Sequence, residues 1–90
     1  MIPKYRLPVH PGEILMEEFI SPRKISQVDL ARKLKIPIQR INTLINGKRD
    51  MSPETAILLA NFFKTSPEFW MNLQTQRDLA LVQQQMAVHV

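Results

Sequence analysis

The sequence predicts an all-α fold of five helices, and three observations carry that prediction. Glycine is scarce, with two in the chain. Nearly every proline falls at a boundary between apolar-periodic stretches, not inside one, where it would break a helix. Three boundaries also read as helix starts: Ser26-Gln27-Val28-Asp29, Ser52-Pro53-Glu54 and Ser66-Pro67-Glu68. In each, a serine hydroxyl can cap free backbone N–H groups and an acid in the first turn meets the positive end of the helix dipole. In the last two, proline takes the first helical position, where a missing donor costs nothing.

In chain order, residues 1–9 mix Pro3 and Pro8 with Lys4 and Arg6 and are expected to form an extended arm. Pro11-Gly12-Glu13 opens a first helix through about Ile20, with Ile14, Leu15 and Phe19 inward, and Pro22 ends it. Two short helices follow between Gln27 and Asn46, closed by Gly47, which can adopt the left-handed conformation that ends a helix. Ala56, Leu59, Ala60 and Phe63 keep the i, i+3, i+4, i+7 spacing of one buried stripe. Phe69, Trp70, Leu73, Ala80 and Leu81 continue in the last helix. The domain is expected to span residues 10–82, with residues 83–90 as a fraying tail.

Ninety residues, 44% of them hydrophobic, suit one domain with one modest core. With no cysteine there is no disulfide framework, thiolate metal site or thiol nucleophile, which fits a reducing compartment. Behind Met1 to Arg6 stands no apolar leader core, and no apolar run reaches membrane-spanning length. A soluble cytoplasmic protein is expected. His10 and His89, the two histidines, lie at opposite ends without neighbours at metal-ligand spacing. Glu13, Glu17 and Glu18 sit in the first turns of a helix, where acids ordinarily complement the dipole. Neither an enzyme, a metal site nor a cofactor is expected.

The net charge of +4 conceals an asymmetry: residues 1–49 carry ten Lys and Arg against four acids, and residues 50–90 two against four. A polyanion, if bound, would therefore meet the N-terminal half; the alternative is that these side chains only solvate helix surfaces.

Position favours the first reading, because Gln27 to Asn46 has the form of a helix-turn-helix. Ala31 is small where two helices would cross, and Leu30, Leu34, Ile36, Ile41 and Leu44 fill the wedge between them. Pro37 starts the second helix. Repressor units usually have glycine in the turn, where this chain has Lys35. With the apolar side inward, Gln39, Arg40, Asn42, Thr43 and Asn46 stand on or beside the outer face, with no acid among them. Gln and Asn can pair with adenine, Arg with guanine, and the Thr methyl with thymine. Gln39, Arg40, Asn42 and Thr43, with Ile38 as an apolar contact, are the candidate base readers, although Arg40 and Asn42 could equally reach phosphate. Gln27, Lys33, Lys35, Asn46, Lys48 and Arg49 are the candidate phosphate contacts; Lys48 and Arg49 could alternatively serve only the carbonyls of the preceding helix.

Along the chain, His10-Pro11-Gly12-Glu13-Ile14-Leu15 with Glu17-Glu18-Phe19, Ser26-Gln27, Leu30-Ala31, Ile45-Asn46-Gly47-Lys48-Arg49, Thr65 to Gln74 and Asp78-Leu79 resemble the HigA/VapI-type antitoxins of bacterial toxin–antitoxin modules. These belong to the phage-repressor-like helix-turn-helix (XRE) superfamily. The resemblance spans about His10 to Leu81, and Thr65 to Gln74 is its most specific string. It implies a five-helix lambda-repressor-like DNA-binding domain. It further implies an antitoxin that neutralises a RelE/HigB-like mRNA-cleaving toxin and, as a homodimer on double-stranded operator DNA, represses its own operon. A free-standing phage-type repressor without a toxin partner would share every DNA-binding feature. Ile38 departs from the basic or small polar residue common in the family, so operator preference does not carry over. A dimer is also motivated physically, since one helix-turn-helix buries little surface on DNA. Phe69, Trp70, Leu73, Leu79 and Val82 are the candidate interface, with the core as the alternative place for Phe69 and Trp70.

Overall fold

His10 opens the first helix: its backbone is extended, and its ring Nδ1 accepts the Gly12 N–H at 2.9 Å. The computed structural model describes residues 7–88, so residues 1–6 of the expected arm and residues 89 and 90 of the expected tail lie outside the described residues. Leu7, Pro8 and Val9 have no regular structure, and the Pro8 carbonyl accepts from the Arg77 guanidinium at 2.8 Å. Among the described residues there are five helices and no strand.

The first, α1 (residues 11–23), joins an α turn Pro11–Ile14, a π-helical stretch Leu15–Ile20 and a last turn Ser21–Arg23 without a break. It passes through Pro22, where the sequence places its end. Proline offers no N–H to the carbonyl four residues back and crowds it. The helix accommodates this by widening, and the Ser21 N–H reaches back five residues to the Met16 carbonyl, the π pattern. Arg23 completes the repair: its Nη1 donates to the Phe19 carbonyl at 3.2 Å and towards that of Glu18 at 3.5 Å. The same guanidinium lies 5.3 Å from the Phe19 ring centre and 5.1 Å from that of Phe63, within cation–π reach.

The remaining helices are α2 (Gln27–Leu34), α3 (Ile38–Ile45), α4 (Pro53–Phe63) and α5 (Pro67–Val88). The serine caps form as expected. Ser26 Oγ accepts from Asp29 N, Ser52 Oγ from Thr55 N and Ser66 Oγ from Phe69 N, at 3.0, 3.2 and 3.1 Å. Pro37, extended, immediately precedes α3. The sequence sets the end of the last helix near Val82, whereas α5 runs on to Val88. Gln83, Gln84, Gln85, Met86 and Ala87 are good helix formers with no glycine or proline among them.

Among the described residues, four chain reversals use a left-handed residue: Gly47 at φ 74, but also Lys24, Lys35 and Lys64 at φ 56, 59 and 60. Lys35 thus holds, in the turn between α2 and α3, the conformation for which glycine is best suited. For a residue with a Cβ that conformation costs roughly 1 kcal/mol, partly offset by the extra freedom glycine would have in the unfolded chain. Lys35→Gly is accordingly expected to raise Tm by a few degrees in a thermal melt; an unchanged or lower Tm would show that the turn carries no such strain.

Leu15, Ile20, Leu30, Ile41, Leu44, Leu59 and Trp70 are almost wholly buried, with Ala31, Ala56 and Ala60 where helices approach closely. Phe19 bridges the layers, its ring centre 5.1 Å from that of Phe63 and 4.9 Å from that of Trp70. Two contacts fix α3 from behind. Gly12 lies against its C-terminal end so closely that a Cβ there would fall 1.8 Å from the Leu44 carbonyl oxygen. Gln74 of α5 is buried: its Oε1 accepts the Met51 N–H, in the segment leaving α3, at 2.7 Å, and its Nε2 donates to Asp78 Oδ1 at 2.9 Å.

Candidate nucleic-acid interface

Helices α2 and α3 cross over Ala31, 4% exposed, with Leu30, Leu34, Ile41 and Leu44 between them. Burying Ile41 and Leu44 turns the opposite side of α3 outward, since residues three and four apart share a face. Gln39, Asn42 and Asn46 are exposed there. Ile38 is half-buried and packs against the core, which leaves only part of its side chain for a base.

Arg40 and Thr43 lie on the flank that faces the start of α4, and both are engaged. Arg40 Nη1 is 2.6 Å from Glu54 Oε1. The Thr43 hydroxyl donates to the Gln39 carbonyl at 2.6 Å and accepts from Arg49 Nε at 3.2 Å. Its methyl is what remains for a base, and Arg49 is drawn alongside α3. Nothing in the sequence pairs Arg40 with Glu54, fourteen residues apart.

Around this face Lys33, Lys35, Lys48 and Arg49 are exposed, while Gln27, first residue of α2, is half-buried. Asp29 is paired with Arg32 at 3.2 Å, which mutes its charge where α2 begins. The Gly47 N–H bonds back to the Leu44 carbonyl and the Lys48 N–H to that of Thr43, so the two basic residues leave the end of α3 from a closed turn.

Trp70 needs correcting as an interface residue. It is 0% exposed and its indole N–H donates to Thr65 Oγ1 at 2.8 Å; it belongs to the core and has no surface to offer. Leu73 is half-buried against the same core. Phe69, Leu79 and Val82 are 38%, 56% and 49% exposed. Met86, 63% exposed, joins Leu79 and Val82 at helical spacing, a continuation that the i, i+3, i+7 pattern could have shown.

The family-specific string beyond the helix-turn-helix thus has a structural meaning. Trp70 bonds to Thr65 in the turn between α4 and α5, and Gln74, its amide nitrogen donating to Asp78, accepts the Met51 N–H of the segment leaving α3. His10 likewise caps α1; burial, and then the nearby Arg77 charge, lower its pKa. Among the described residues no group of three or more His, Asp or Glu is placed to hold a metal, and no helix is long and apolar enough to cross a membrane.

A model of the helix-turn-helix family matches residues 15–70. Over 76 residues the chain is 37% identical to virulence-associated protein I of Dichelobacter nodosus, covering 84% of this chain and 70% of that protein. It is 39% identical over 74 residues to antitoxin HigA-1 of Vibrio cholerae, covering 82% and 70%. The solved structure of Pseudomonas aeruginosa antitoxin HigA with higBA promoter is similar at a TM-score of 0.81 and 44% identity, over 83% of this chain and 82% of that one.

Proposed function

This chain belongs to the helix-turn-helix family, in its HigA/VapI group, and from that premise we propose that it is the antitoxin of a toxin–antitoxin module. In this reading a homodimer binds double-stranded operator DNA through α3 and represses its own operon. The same protein binds and neutralises a RelE/HigB-like mRNA-cleaving toxin. It works in the cytoplasm, and neither role calls for catalysis.

The observation that carries the DNA half is the outer face of α3. Gln39 and Asn42 are exposed amides on this face, suited to base edges, and Asn46 is exposed beside them at the helix end. Lys48 and Arg49 follow just past the helix end, beside where the phosphates would pass. The toxin half rests on kinship alone. In favour of a dimer is the apolar stripe of Leu79, Val82 and Met86, exposed on α5.

Footprinting on DNA flanking the chain's own gene is expected to show two protected half-sites about one helical turn, roughly 34 Å, apart. Lys48→Ala should weaken binding to all duplexes and lower the slope of log affinity against log salt by about 1. A flank left unprotected at micromolar protein sinks the repressor reading. Co-expression with the adjacent small basic reading frame tests the other half: if no complex forms and growth is not rescued, a free-standing repressor is left.

A further inference from the structure

Glu54 stands where a surface meeting phosphates would be expected to exclude a carboxylate. Its side chain is 71% exposed, in the first turn of α4, and Oε1 lies 2.6 Å from Nη1 of Arg40 on α3. Arg40 is the more enclosed partner, its side chain 26% exposed. One turn further along the same flank, Arg49 Nε rests on Thr43 Oγ1 at 3.2 Å. Two of the cations nearest the outer face of α3 are therefore braced within the protein.

Stability does not account for the Arg40–Glu54 pair, because an ion pair with so exposed a carboxylate adds little to it. Its effect on recognition is more specific. An unbraced arginine is a mobile cation that can follow any phosphate, and so strengthens binding to every duplex alike. A guanidinium with one amino group tied to a carboxylate keeps its plane fixed. Its remaining N–H groups can still meet the O6 and N7 of a correctly placed guanine. Phosphate, by contrast, must approach against the charge of Glu54.

Resting on the reading that α3 reads operator DNA, we propose that Glu54 is a specificity-determining residue. It positions Arg40 for a base edge and discourages its use as a general phosphate contact. Sequence selectivity on this flank then resides in an α3–α4 pair, with Glu54 itself touching no base.

The test measures the affinity of the full chain for the footprinted operator and for a random duplex of equal length, at several salt concentrations. Glu54→Gln removes the charge and keeps an acceptor oxygen. It is expected to raise random-duplex affinity on the order of fivefold, leave operator affinity within about twofold, and steepen the salt slope on random DNA by about 1. Tm should stay within a few degrees. In an Arg40→Ala background the same change should bring no gain, because the freed cation is absent. Equal gains on both duplexes, or a gain that persists without Arg40, would overturn the proposal while the operator footprint stands. If the unmutated protein leaves no footprint, the functional reading fails and the proposal falls with it.

Discussion

Gly12→Ala is expected to destabilise the protein by about 3 kcal/mol or more, the upper range for forcing extra volume into a packed site. In a domain of this size that lowers Tm by more than roughly 10 °C. The added Cβ would lie 1.8 Å from the Leu44 carbonyl oxygen, 2.6 Å from its carbon and 2.9 Å from the Ile45 Cα. All three are backbone atoms, so no side chain can swing aside; α1 and the end of α3 would have to separate. α3 is also the helix proposed to enter the groove, so operator affinity should fall along with the melting point. Gly47→Ala is the contrasting control. Gly47 is left-handed at φ 74, but its Cβ would meet nothing closer than His10 Cδ2 at 3.9 Å. There the cost is conformational only, on the order of 1 kcal/mol. Thermal melts of both variants check this; a Gly12→Ala protein that melts within a few degrees of the parent would mean the two helices separate easily.

That contrast marks how much the sequence reveals. Gly47 was legible because its requirement is local: it follows an apolar face and ends a helix. Gly12 reads equally well as part of a Pro-Gly-Glu helix start, since the carbonyl it admits is thirty-two residues away. The serine caps were legible for the same local reason, each hydroxyl bonding an N–H three residues on. Pro22 misleads because the rule that proline ends a helix assumes the four-residue hydrogen bond. The π turn, together with the Arg23 side chain, satisfies the backbone another way.

On α5, hydrophobicity is a poor guide to which side faces in. Buried Trp70 is followed one turn later by buried Gln74, with Arg77 half-buried beyond. The apolar Leu79 and Val82 point outward. Polar groups occupy the inner side because the backbone they must satisfy lies there, the Met51 N–H for Gln74 and the Pro8 carbonyl for Arg77. The candidate reading face divides along the same line. The exposure of Gln39, Asn42 and Asn46 follows from the helical period once Ile41 and Leu44 are placed inside. The engagement of Arg40 by Glu54 depends on how α4 docks, which no local pattern encodes.

The outward apolar residues of α5 lead to the second large effect expected. Leu79, Val82 and Met86 fall at i, i+3 and i+7, so they form one stripe, and all three are about half exposed or more. If that stripe joins two copies, Val82→Asp places a charge at the centre of an apolar seam and should shift sedimentation from dimer to monomer. Operator affinity should fall on the order of 100-fold, because each half-site then loses the effective concentration its partner supplied. The fold should be unaffected, since Val82 is 49% exposed and buries little in its own chain; Tm extrapolated to low protein concentration should change by no more than a few degrees. Trp70 could not serve for this test, because any change there empties the core and confuses unfolding with dissociation. A Val82→Asp protein that remains a dimer would place the two-fold contact elsewhere. One that is monomeric yet keeps full operator affinity would show that a single α3 suffices, against the expectation that one helix-turn-helix buries too little surface for specific binding.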